Sequence, residues 1–129
     1  MIFVNLPVEN LKRSVDFFGS LGLTFNPQFT DKTSTCMVIS EHIYVMLLEH
    51  SKFEGFITKK IAPRDTTEAI LSFSCASPEA VKEIAEKAFA LGAKQVNDYQ
   101  DMGFMQSWGF EDLDGHLWDL FYMNPDHVQ

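Results

Sequence analysis

The strongest constraint in the chain is that it repeats itself. Leu11, Val15, Phe18 and the pair Leu21-Gly22 recur 70 positions later as Val81, Ala85, Ala88 and Leu91-Gly92. In each copy the apolar residues fall at helical spacing, and the glycine supplies the stop that ends a helix. Asn10 caps the first helix, and Ser77-Pro78 places a capping hydroxyl and a first-turn proline on the second. One strand candidate precedes each helix, at 2–8 and 68–76, and three follow it, at 23–30, 34–40 and 43–49, then at 94–99, 104–111 and 116–122. Residues 51–67, rich in Ser, Lys, Gly, Pro, Arg, Asp and Thr, read as a connection rather than an element. The expectation is an α+β fold of two tandem β-α-β-β-β modules, residues 1–50 and 68–124, whose mixed sheets curl around a shared cavity within a single domain, 1–129.

The last hairpin carries the most chemistry. In the run Phe110-Glu111-Asp112-Leu113-Asp114-Gly115-His116-Leu117-Trp118-Asp119-Leu120-Phe121-Tyr122, Asp114-Gly115 is expected to supply the positive backbone angles of a tight turn, with alternation resuming on both sides. A module with its helix on one sheet face leaves the other face bare, and strand parity assigns the side chains. With Leu120 and Trp118 beneath the helix, Leu117, Asp119 and Phe121 face the bare side. Phe3 and Asn5 oppose Val4 and Leu6; Ile70 and Ser72 oppose Leu71 and Phe73. Tyr44, Met46 and Leu48 oppose Val45 and Leu47. Met105, Ser107 and Gly109 oppose Trp108 and Phe110. The two tryptophans read as helix-side core, and Met46, Met102 and Met105 as pocket lining or gap-filling core.

Composition narrows the partners. With 46% hydrophobic and 13% aromatic residues, twelve of them phenylalanine, 129 residues can build an independent core. The formal charge of −8 and the ten scattered Lys and Arg argue against nucleic acid and anionic membranes. Cys36 and Cys75 lie in separate strand-like runs without metal or redox spacing and read as reduced core thiols. No apolar run reaches the roughly 20 residues of a membrane span, and no basic segment precedes an apolar signal core, so a cytoplasmic location is expected.

The paired modules, the opening Val4-Asn5-Leu6-Pro7-Val8-Glu9-Asn10-Leu11 and the closing Asp112-Leu113-Asp114-Gly115-His116-Leu117-Trp118-Asp119-Leu120 resemble the vicinal oxygen chelate superfamily. This group includes glyoxalase I, extradiol dioxygenases, fosfomycin-resistance enzymes and bleomycin-resistance binding proteins. The resemblance covers nearly the whole chain and is nearest to proteins described as predicted lactoylglutathione lyases. Metal enzymes of the group place His on the first strand and Glu on the fourth strand of each module. Those positions fall here on Phe3, Met46, Ile70 and Asp119, of which Asp119 alone keeps an oxygen ligand, one carbon shorter than Glu. A catalytic divalent metal takes about three protein ligands and an open position. The resemblance therefore implies the metal-free binding branch, with no cofactor: a small organic molecule in an apolar cavity lined by Phe3, Asn5, Met46, Leu48, Ile70, Ser72, Met105, Ser107 and Phe121. Asp119 is the candidate catalytic or ligand-pairing acid, its pKa raised by desolvation.

Two alternatives stand beside it. A metal-dependent lyase or dioxygenase would draw on His42, His50, His116 and His127 with Glu41, Glu49 and Glu68, although His116 is expected as a turn contact. A non-catalytic homodimeric interaction module would use the exposed-looking Phe53, Phe56 and Ile57 of the connection. A homodimer is expected under either binding reading.

Overall fold

The computed structural model describes residues 1–127, the side chain of His127 excepted. The chain forms two compact units, the first Met1–Pro63 and the second beginning at Arg64.

In the first unit, β1 (Ile2–Val8), α1 (Leu11–Ser20), β2 (Thr24–Asn26), β3 (Ser34–Ser40) and β4 (Ile43–Glu49) are followed by a short helix, α2 (His50–Glu54). The sheet order is β1-β4-β3-β2, with β1 parallel to β4 and the other pairs antiparallel. The start of α1 is fixed twice over: Asn10 Oδ1 accepts from the Arg13 amide at 3.0 Å, and Glu49 Oε2, at the end of β4, accepts from the Leu11 amide at 3.0 Å. Two otherwise orphaned amides are thereby satisfied. The buried stripe of α1 is Leu11, Ser14, Phe17 and Phe18, turned slightly from the expected one, with Val15 at its margin. It covers the same sheet face as Leu6, Val8, Val45 and Leu47, each of the larger side chains contributing about 1.5–3 kcal/mol by its burial.

The second unit contains β5 (Ile70–Ser74), α3 (Pro78–Ala90), β6 (Lys94–Gln95), β7 (Gln100–Asp101), β8 (Met105–Glu111) and β9 (Leu117–Met123). Strand order is β5-β9-β8-β6, with β7 also on β8; β5 runs parallel to β9, the other pairs antiparallel. Ser77 caps α3 through Ala80, and Val81, Ala85 and Ala88 are fully buried. Leu91, expected in this stripe, is the cap residue and is exposed. The architecture is α+β with two mixed sheets of four and five strands and no closed barrel among the described residues.

Several local expectations are corrected. The strand expected at 23–30 stops at Asn26, because Pro27 has no amide for the ladder and begins a 3-10 turn, Pro27–Phe29, capped by Asn26. The strand expected at 94–99 shortens to β6, and an unexpected two-residue strand, β7, follows it, so the second module has four strands after its helix. The 68–76 strand shortens to β5, which leaves Cys75 one residue beyond its end and only half-buried; Cys36 is buried, and both thiols are free. The stretch read wholly as connection contributes α2, whose first residue, His50, is exposed. In the closing turn only Gly115 has a positive φ, +90°; Asp114 does not. Among the described residues no helix is long and apolar enough to cross a membrane.

Candidate functional site

The open face of the first sheet follows the parity read from sequence. Phe3 and Asn5 on β1 are exposed, and Phe3 stacks on Tyr44 of β4 with ring centroids 4.9 Å apart. Asn5 pairs with Met46, and Cys36 and Ser34 of β3 lie across from Met46 and Leu48. Above this face the Pro27–Phe29 turn and α2 raise two walls and create a cavity of about 480 Å³. Asn5, Met46 and Leu48 line it, as expected, together with residues sequence reasoning missed: Gln28, Phe29, Thr30, Asp31, Ser34, Lys52 and Phe56. Phe3 is not among its walls. A smaller cavity of about 430 Å³ is lined by Asn5, Leu48, Phe53, Phe56 and Ile57. Of the three apolar residues expected to be exposed in the connection, only Phe56 is; Phe53 and Ile57 are half-buried.

Asp31 sets the mouth of the larger cavity. Its Oδ1 accepts from the amide and hydroxyl of Thr33, at 2.8 and 3.1 Å, and from the amide and hydroxyl of Ser34, both at 3.0 Å. These donors, the Thr33 amide foremost, hold its carboxyl well below the usual range. Its Oδ2 meets Lys52 Nζ at 3.4 Å.

The second unit presents an acid. Asp119 on β9 lies between Ser72 of β5 and Gly109 of β8 in register, and Ser72 Oγ donates to Asp119 Oδ2 at 3.4 Å. Burial pushes the Asp119 pKa up, partly opposed by that hydroxyl. A side chain at Gly109 would stand 3.8 Å from Asp119 Oδ1 and 3.1 Å from the Trp118 carbonyl, so glycine there leaves space beside the carboxylate. Ile70, Ser107, Met105 and Phe121 share this sheet face by register.

Behind Asp119, the turn that positions β9 is built around Asp112. Its Oδ1 accepts from the amides of Asp114 and His116, both at 2.9 Å, and its Oδ2 from Trp118 Nε1 at 2.8 Å. Burial pushes the Asp112 carboxyl up against the pull of His116 and these donors. His116 is buried and its Nδ1 meets Glu68 Oε1 at 2.7 Å, so the histidine braces the turn. Trp118 is buried core, and Trp108 is half-buried with its Nε1 donating to the Asn97 carbonyl at 2.9 Å.

The metal held by the metal enzymes that the sequence resembles does not fit these residues. In the first unit the ligand positions hold a phenyl ring and a thioether, Phe3 and Met46; in the second, an alkyl chain, Ile70, which is 63% exposed, and the single carboxylate of Asp119. Among the described residues no three His, Cys, Asp or Glu side chains gather to hold an ion. His127, one of the alternative ligands, has its side chain outside the described residues.

Residues 1–40 match the sequence model of a bleomycin resistance protein-like N-terminal family. A hypothetical protein of S. aureus shares the fold at a TM-score of 0.80 and 24% identity, with 95% of this chain and 92% of that one covered. A glyoxalase/bleomycin resistance protein/dioxygenase family enzyme of Burkholderia phytofirmans superposes at 0.78 with 12% identity over 94% and 96% of the two chains. The fosfomycin resistance protein FosX of Listeria monocytogenes superposes at 0.67 with 18% identity over 95% and 89%. No curated protein matches. The fold is that of the glyoxalase/bleomycin-resistance proteins.

Proposed function

We propose that the chain binds a small organic molecule with an apolar or aromatic body, and that it does so without the superfamily's metal. The observation that carries this reading is the 480 Å³ cavity of the first unit, in which Phe29, Phe56, Met46 and Leu48 stand among the polar or charged Asn5, Gln28, Thr30, Asp31, Ser34 and Lys52. Its volume falls within the range of small-molecule sites, about 300–1,000 Å³, in which apolar surface holds a ligand and polar groups fix its orientation. Phe56, 73% exposed, gains most from a ligand, since covering an aromatic ring releases its apolar surface from water.

On the open face of the second sheet, Asp119 is proposed as the acid that accepts a hydrogen bond or a proton from a bound molecule. Desolvation raises its pKa and favours its neutral form, the direction that suits a group able to give or take a proton. Association into a homodimer is also proposed: Ile2 and Ile43, partners in register, expose apolar surface where β1 forms the edge of the first sheet. Light scattering that finds only monomer at high concentration would remove that part.

The test is calorimetric titration with the neutral aromatic amine N-phenyl-1-naphthylamine, in chelator and again after saturation with nickel, zinc or manganese. One-to-one binding in chelator, weakened by Phe56→Ala, is the expected result. Binding that appears only after a metal is added would favour a metal-dependent lyase or dioxygenase instead.

A further inference from the structure

We infer that the cavity of the first unit is built for an organic anion, a molecule with one carboxylate- or sulfonate-like group on an aromatic or apolar body, with Lys52 as its counter-charge. This rests on the reading that the cavity binds a small molecule and adds the sign of its charge.

The inference comes from the unequal state of the two charged residues in the lining. Asp31 is committed: four donors converge on its Oδ1, and two of them are backbone amides of its own turn, so its carboxylate is fixed in position and direction. It serves the architecture of the mouth. Lys52 is not committed in this way. An ammonium has three donors, and the contact of Lys52 Nζ is the Asp31 Oδ2 at 3.4 Å, long for a charge-assisted hydrogen bond, which runs to about 2.7–2.9 Å. Two donors therefore remain for a ligand, on a four-carbon stem that can follow it.

The neighbours favour the same sign. Asn5 and Gln28 reach the lining with side-chain amides, and a carboxylate or sulfonate accepts from such groups as well as from the ammonium. A ligand cation at Asp31 would meet Lys52 Nζ 3.4 Å from Oδ2, and would find the other carboxylate oxygen already saturated. Phe29 and Phe56 stand on the 3-10 turn and just past α2, so the apolar body lies between rings while the charged end reaches Lys52. The chain's charge of −8 works against polyanions, which limits the class to molecules bearing about one negative charge.

Two dyes with the same ring system test this. 8-Anilinonaphthalene-1-sulfonate carries the anion; N-phenyl-1-naphthylamine is the same body without it. Both are titrated into the full chain in chelator, following dye fluorescence, with stoichiometry from calorimetry. The expected result is one-to-one binding of both, the sulfonate roughly tenfold tighter, the order of one charge-assisted contact at a partly exposed site. Lys52→Met, which keeps the stem and removes the charge, should erase that advantage and leave the neutral dye unchanged. Lys52→Arg should retain most of it. Added salt should weaken the sulfonate alone. Equal affinities in the parent chain, or a sulfonate affinity untouched by Lys52→Met, would overturn the inference. If the neutral dye still binds and Phe56→Ala weakens it, the small-molecule reading survives that failure; if neither dye binds, both fall.

Discussion

Replacing Gly115 by alanine should destabilise the chain more than the same change at Gly103, and the difference can be worked out from local geometry. Both glycines have positive φ, +90° and +82°, where an L side chain costs about 1–2 kcal/mol. Alanine recovers about 0.4–1 kcal/mol by restricting the unfolded chain. Gly103 has open space where a Cβ would go, so its net cost is on the order of 1 kcal/mol. At Gly115 the added carbon would stand 2.7 Å from Arg64 Cγ and 3.2 Å from the Arg64 carbonyl oxygen. Cγ stands near the root of the Arg64 side chain and must shift, the backbone oxygen must yield by a few tenths of an ångström, and such crowding costs about 1–3 kcal/mol. Urea unfolding followed by tryptophan fluorescence reads both variants in the same unit, because Trp108 and Trp118 lie on β8 and β9. Gly115→Ala should have the lower midpoint at an unchanged slope. A midpoint equal to or above that of Gly103→Ala would refute the idea that close packing of Arg64 makes glycine obligatory in this turn.

Trp118→Phe removes the 2.8 Å donor to buried Asp112 Oδ2, and hydrogen bonds to charged groups contribute about 1.5–3 kcal/mol, so denaturation followed by circular dichroism should show at least that loss. The two perturbed acids at turns should tilt the pH dependence of stability in opposite directions. Asp112 binds its proton more tightly folded than unfolded, so its contribution is complete below the ordinary carboxylate pKa and is lost as pH rises through its raised value; Asp112→Asn should remove that slope in calorimetric melting midpoints. Asp31 is lowered, so its contribution is present above the ordinary value and fades as pH falls through the folded one; Asp31→Asn should flatten the acid limb. Ser72→Ala should raise the Asp119 pKa further, since the hydroxyl that opposes desolvation is gone, and carbon-detected titration of the carboxyl would show any shift of the opposite sign.

Much of the fold was legible because the repeat is written in caps and stops. Asn10, Ser77, Gly22 and Gly92 mark helix ends by local chemistry that tertiary context did not override. Strand parity was legible for the same reason: one face of each sheet lies under a helix, and a period of two sorts Val45 and Leu47 from Met46 without knowledge of the partner strand. The cavity walls were not. Gln28, Phe29 and Thr30 were absorbed into a strand expected to run to residue 30, with Asp31 just past its end, although Asn26-Pro27, a capping side chain before a residue that cannot pair, was the available signal. Helix α2 left no such signal. It spans five residues, its cap position is Glu49, whose side chain is spent on the Leu11 amide instead, and Lys52 sits in a stretch that read as a connection. The turn at Gly115 was located correctly, but its conformation depends on Asp112 reaching back to two amides and forward to Trp118, contacts that a dipeptide signature does not encode.

Whether the first unit's cavity takes an organic molecule in the absence of metal can be read directly, because Met46 reports on it from the lining. With methionine methyls carbon-13 labelled and chelator present, titration with N-phenyl-1-naphthylamine should shift the Met46 methyl saturably at one equivalent and leave that of exposed Met102 in place. A Met46 signal that stays still, or moves only once a divalent metal is added, would contradict metal-free binding in this cavity.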